Sequence, residues 1–222
     1  MNKRHAFTLI EMLVVIAIIG IVAALVVNMN SGAQAAKRNA QVNIDKQGLI
    51  TMIGDYQSKL NFYPPDNGGL ATNPPGSYYD AVASTNPLLY ELTGASNNFS
   101  NNIPTTNYIQ VFDGTSVPIY NFQTNYGGRS AVANANTDEP HDFFQTGPQP
   151  KEYTNYDTSS GLKGLLVPVA LTDSLGNPIT NNFWHYDSSS TNRHNPQSYD
   201  LWAEYNIGTK SGNPIIMTNG NW

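Results

Sequence analysis

The sequence predicts an α+β protein: a long N-terminal helix, apolar in its first half and amphipathic in its second, packed on a small antiparallel β-sheet domain with long loops. Three observations carry that expectation. From Phe7 to Val27 the chain is apolar apart from Thr8, Glu11 and Gly20. Val42, Leu49, Ile53, Tyr56 and Leu60 then recur at steps of seven, four, three and four, which keeps them on one helical face. Beyond residue 62 the periodicity shortens and Gly, Pro, Asn and Asp punctuate it densely, as in short strands joined by turns.

Taken in order, the apolar run of 21 residues is the length that spans a hydrocarbon core as a helix. Lys3, Arg4 and His5 precede it and no matching cluster follows at once, so the positive-inside rule places the N-terminus in the cytoplasm and the chain after about residue 28 outside. A cleaved secretory signal is the rival reading, but its apolar region would be shorter and would gain nothing from Glu11. Asp45, Lys46, Asp55 and Lys59 fall between the apolar positions of the second half. The stretch "NFYPPDNGG" ends the pattern, because the residue before a proline is pushed out of the α region. A continuous helix from Phe7 to Leu60 would hold 54 residues and reach about 80 Å. Gly20, Gly32 and Gly48 are weak points in it, read as sites of close packing rather than hinges.

"IQVFDGTSVPIYNF", from Ile109 to Phe122, reads as two strands around an Asp-Gly turn. "LLVPVALTDSLGNPITNNFWHY", from Leu165 to Tyr186, reads as a second hairpin turning at Leu175, Gly176 and Asn177. Between them, residues 129–161 are polar and poor in apolar side chains, as expected of a long surface loop or insertion that moves unless it is pinned.

Composition removes several function classes. The 222 residues leave one medium domain after the apolar segment, carry a net charge of −5 and include 28 Asn. That balance offers no basic face for phosphates, so nucleic acid is not an expected partner. With no cysteine there is no disulfide, thiolate nucleophile or Cys-bound zinc. His185 and His194 lack the spacing of a zinc hydrolase, and no G-x-S-x-G elbow or phosphate-cradling glycine loop is present, so no enzyme activity is expected. Tyr78, Tyr79, Trp184 and Trp202 read as core or groove-packing residues.

Glu11 is the exception inside the apolar run. A carboxylate there costs a few kcal/mol, so it is a functional candidate unless it reaches the headgroups, and nothing within the segment supplies a cation. "AFTLIEMLVVIAIIGIVAAL" resembles the class III signal of type IV pilins and of the pseudopilins of type II secretion. The resemblance implies a leader of residues 1–6 removed by a prepilin peptidase between Ala6 and Phe7, with methylation of Phe7. It also implies that Glu11 neutralises the new α-amine of a neighbouring subunit during filament assembly. Ala6 departs from the glycine usual before the cut but remains small. The chain has Asn28 where many relatives carry a proline, so their kink is not assumed.

"NFYPPDNGGL", "LTDSLGNPI" and the C-terminal run from Tyr199 to Trp222 resemble the major pseudopilin of type II secretion in particular. That resemblance implies residues 1–6 as leader, 7–27 as transmembrane helix, 28–61 as its amphipathic continuation and 62–222 as an exported β-rich domain. It implies a homopolymer assembled with an inner-membrane platform and minor pseudopilins, anchored first in the inner membrane and then standing in the periplasm or at the cell surface. Loss of Lys3 and Arg4 with the leader would take the net charge from −5 to −7. In that subfamily a C-terminal loop binds calcium; here Asp200 and Glu204 are the candidate ligands, set against a loop held by Asn and Gly turns alone. Three functions follow from the reading: a secretion pseudopilin, a type IV or minor pilin in adhesion, motility or DNA uptake, and an anchored exported binding protein or enzyme that never assembles.

Overall fold

The computed structural model describes residues 8–66, 87–94, 99–100, 103–104, 108–118, 134, 140–144, 147–155, 161–173, 175, 177–179 and 181–222. Helix α1 runs without a break from Leu9 to Leu60, 52 residues or about 78 Å. Asn61 ends it in the left-handed region at φ 65°, its N–H returning to Gln57 O at 2.8 Å, and Pro64 and Pro65 forbid continuation.

Val42, Leu49, Ile53 and Tyr56 are buried as the periodicity predicts, with Leu60 packed at the edge of the same cluster. Lys46 corrects the expected division of faces, because it lies in the buried stripe and not among the solvated residues. Its position, four after Val42 and three before Leu49, is that of a core residue, and its long apolar stem suits it to lie along the packed surface. The Nζ donates to Gly220 O at 2.6 Å and to Asn219 Oδ1. Burial pushes its pKa below the usual lysine range.

The face of α1 is covered by an antiparallel sheet of three strands in the order β11-β10-β9, comprising β9 (His185–Asp187), β10 (Asp200–Lys210) and β11 (Asn213–Gly220). Leu201, Ala203 and Tyr205 alternate along β10 and are all fully buried, so one face of the strand meets the helix. Tyr205 Oη donates to Asn39 Oδ1 at 3.0 Å, and Arg38 Nη1 to Asn206 O at 3.0 Å. Trp202 is paired with Gly220, the residue that Lys46 holds. Contacts thus fall along α1 from 46 to 38 as they rise along β10 from 202 to 206, and the strand runs antiparallel to the helix. Ser211 and Gly212, at φ 54° and 83°, close the β10–β11 hairpin with the two positive φ values of a type I′ turn.

The remaining structure is a set of short pieces around this helix and sheet. Helix α2 (Leu88–Thr93) is buried along its length and ends at Gly94, φ 69°. A Cβ there would stand 2.8 Å from His141 O, so glycine is required by conformation and by space alike. Four two-stranded ribbons follow: β1 (Phe99–Ser100) with β2 (Ile103–Pro104), β3 (Tyr108–Gln110) with β4 (Ser116–Pro118), β5 (Tyr153–Asn155) with β6 (Lys163–Leu165), and β7 (Leu171–Thr172) with β8 (Pro178–Ile179). Both expected hairpins are present among them. The turn of β3–β4 falls on Asp113 and Gly114, with Gly114 at φ 79°. The β7–β8 ribbon is two residues long, but Val167 N to Asn182 O at 2.8 Å and Trp184 N to Leu165 O at 2.9 Å extend its pairing.

The segment 129–161 is tied to the core where it is described. Asn134 is fully buried and uses both ends of its amide: Nδ2 donates to Glu91 O at 2.6 Å and His141 O at 2.7 Å, while Oδ1 accepts from His141 N at 3.0 Å. Glu91 Oε2 accepts from Asn134 N at 2.9 Å and from Tyr56 Oη at 2.8 Å, so α1, α2 and the segment meet at one carboxylate. Phe143 joins the main cluster nine residues on.

Asn134→Ala strands several buried backbone groups, so we expect a loss of about 2–3 kcal/mol in chemical denaturation of the detergent-solubilised chain. Asp113 gives a pH-dependent case. Burial raises its pKa, but hydrogen bonds from Lys163 Nζ and from Thr115 N and Oγ1 outweigh that and hold it below the ordinary 3.8. Its stabilisation is therefore present above the unfolded pKa and lost as pH falls through the folded one. Asp113→Asn should cost about 1 kcal/mol at pH 7, and the gap to the native chain should close below about pH 4. A constant gap down to pH 3 would exclude this ion pair as the source.

Candidate functional site

The first turn of α1 is built by Thr8 and Glu11. Thr8 is extended, at φ −78° and ψ 150°, and its Oγ1 accepts from Glu11 N at 3.3 Å. Glu11 Oε2 in turn accepts from Thr8 N at 2.7 Å and Thr8 Oγ1 at 2.8 Å. This is a capping box, which satisfies backbone donors that a helix start leaves open. The Thr-x-x-Glu spacing of Thr8 and Glu11 encodes this box, and it supplies hydrogen bonds where the segment supplies no cation. What Thr8 provides is hydrogen bonding and no charge. Among the described residues no cation stands within ion-pair distance of Glu11.

From Leu9 to Ala23 every side chain of α1 is exposed, Leu9 by 83% and Ile16 by 66%. A helix apolar on all sides belongs in an apolar environment or against other helices, and among the described residues nothing buries this stretch. Side chains 24–31 lie outside the described residues, and among those described no helix is long and apolar enough to cross a membrane. Ala6 and Phe7, where the processing site was expected, also lie outside.

At the other end of the chain the candidate calcium ligands are not brought together. Asp200 is buried and its two oxygens are engaged, Oδ2 by His194 N at 2.7 Å and His194 Nδ1 at 3.1 Å, Oδ1 by Asn195 N at 3.0 Å. Glu204 lies four residues further along β10, about 13 Å away. Calcium needs six to eight oxygens around one point. Among the described residues no group of three potential metal-ligating side chains is found. The histidines are likewise apart: His185 stacks on Trp202 at 4.9 Å and His194 on Trp222 at 4.1 Å. Trp184 and Trp202 are buried, as a packing role requires, and Tyr78 and Tyr79 lie outside the described residues.

A cavity of about 250 Å3 that the sequence did not announce opens between α1 and the chain around Phe144 to Glu152. Asp45 lines it, its Oδ2 accepting from Trp184 Nε1 at 3.0 Å. Burial raises the pKa of Asp45; the Trp184 bond lowers it, Glu152 raises it and Lys151 lowers it, with a net upward result.

If the capping box sets the start of α1, Thr8→Val should lower protection of the first-turn amides by about 1 kcal/mol. Hydrogen exchange on the detergent-solubilised full chain reads this directly, and unchanged protection at Glu11 would exclude the box as the determinant.

Comparison with known proteins bears on this same segment. No curated protein and no solved structure matches the chain significantly. Residues 1–27 match the model of the prokaryotic N-terminal methylation motif. The match covers the N-terminal signal segment alone; behind it the described residues form a long helix packed on small antiparallel sheets, an α+β arrangement consistent with a pilin-like fold.

Proposed function

We propose that the chain is a structural subunit of a type II secretion pseudopilus. Prepilin peptidase cuts it between Ala6 and Phe7, Phe7 is methylated, and the mature chain polymerises through α1. The observation that supports this most is the exposed apolar half of α1 with a single carboxylate two residues inside the helix start. In the membrane the segment 7–27 is held by lipid as a single span with residues 1–6 on the cytoplasmic side. In a filament the same surface is held by other copies. A carboxylate costs about 3 kcal/mol in a bilayer interior, and the capping bonds from Thr8 leave its charge uncompensated. The free amine of a neighbouring Phe7 provides the countercharge, so assembly and processing are coupled through Glu11. Residues 28–61 then form the amphipathic stalk and 62–222 the exported domain.

A type IV or minor pilin is the second reading, favoured by the Asn- and Thr-rich composition of the middle of the chain, where Asn134 is held to the domain by Glu91. Both readings share the assembly step. Mass analysis of the mature N-terminus should find methylated Phe7. Glu11→Ala should abolish filaments seen by electron microscopy while leaving the chain processed and in the membrane. Filaments of normal number from that variant would refute coupling through Glu11.

A further inference from the structure

The cavity beside Asp45 has the chemistry of a receptor for a lysine side chain. Leu49, Met52, Phe144 and Trp184 give it apolar walls, while Asp45 and Glu152 place two carboxylates among them. Asp45 has one oxygen on Trp184, and among the described residues its Oδ1 accepts no hydrogen bond. Glu152 has Oε2 on Gln149 N at 2.7 Å and no further hydrogen bond to its carboxylate among the described residues. Apolar walls suit a methylene stem, and two partly satisfied carboxylates suit an ammonium. The desolvation that raises the pKa of Asp45 is offset when a cation enters.

The chain itself presents a matching knob. Lys210 is exposed and directly precedes the Ser211–Gly212 turn at the tip of the β10–β11 hairpin. Arg38 Nη1 donates to Asn206 O, and the tip stands about 13 Å beyond Asn206 along β10, toward the N-terminal half of α1. The cavity lies the other way, at α1 residues 44 to 52. A tip and a receptor displaced in opposite senses along the helix do not meet in one copy. Exposed Lys37 lies along the helix cylinder, and Lys151, on the turn of residues 149–152, stands beside the cavity of its own copy and acts on Asp45 there, so Lys210 is the exposed lysine at a hairpin tip away from the cavity.

We propose that Lys210 of one copy enters the Asp45–Glu152 cavity of a second copy displaced along the helix axis. This rests on the polymeric reading above and gives it a second contact, in the exported domains. A knob on one face and its receptor on another make a heterologous contact, which propagates into an open filament unless rotation closes it.

The absence of native cysteine makes a direct test available. Two full-length chains are co-produced, one carrying Ile44→Cys at the exposed mouth of the cavity and the other Ser211→Cys beside Lys210. Oxidation of sheared filaments should give a disulfide-linked dimer only when both chains are present. Adding Lys210→Glu to the tip chain should abolish the dimer, and adding Glu152→Lys to the mouth chain should restore it. Normal filaments without the dimer, or a dimer indifferent to Lys210→Glu, would overturn this contact and leave assembly through Glu11 standing. Absence of filaments from the unsubstituted chain would instead overturn the polymeric reading, and this contact with it.

Discussion

The stripe of Val42, Leu49, Ile53 and Tyr56 on α1 meets Leu201, Ala203 and Tyr205 of β10, and the other parts of the domain are arranged around that contact. Each of these side chains is almost wholly removed from water, and burying one such residue contributes about 1.5–3 kcal/mol. An amphipathic helix on one face of a sheet is a stable two-layer solution, but a three-stranded sheet covers only part of the helix. Helix α2, Phe143, Leu165 and Trp184 complete the cover. The short ribbons have too few pairs to be stable alone, and β5–β6 joins this cluster through Tyr153 and Leu165.

Polar groups then specify how the layers sit. Lys46, Asn39 and Arg38 each reach the β10–β11 hairpin from successive levels of α1, which sets the direction and level of the sheet along the helix. Glu91 fastens the middle of the chain to α1 and α2 through Tyr56 and Asn134. Such groups stabilise modestly when satisfied, and removing one partner leaves a buried donor or acceptor without water, which is why they define a single arrangement.

Below this contact, among the described residues, the side chains of the same helix from Leu9 to Ala23 are exposed. The C-terminal half of α1 buries one face against the domain, whereas these described side chains of the N-terminal half are apolar apart from Glu11. The capping box holds Glu11 by hydrogen bonds from Thr8 that bring no countercharge.

The long helix, its apolar and amphipathic halves, its end before Pro64 and both hairpins were legible in the amino-acid sequence, because each rests on contacts between residues near in the chain: periodicity, a proline's steric demand, an Asp-Gly turn. The N-terminal signal is linear for the same reason. The capping box is equally local, encoded by Thr8 and Glu11 three residues apart. Tertiary structure alone decided the rest. That Lys46 is buried depends on Asn219 and Gly220, more than 170 residues distant, and that Asn134 is buried depends on a carboxylate 43 residues before it. Asp200 and Glu204, close in sequence, are separated by the extended rise of the strand that carries them. The cavity between Asp45 and Glu152 exists only once α1 and the chain around Phe144 are packed together, and no pattern within either segment announces it.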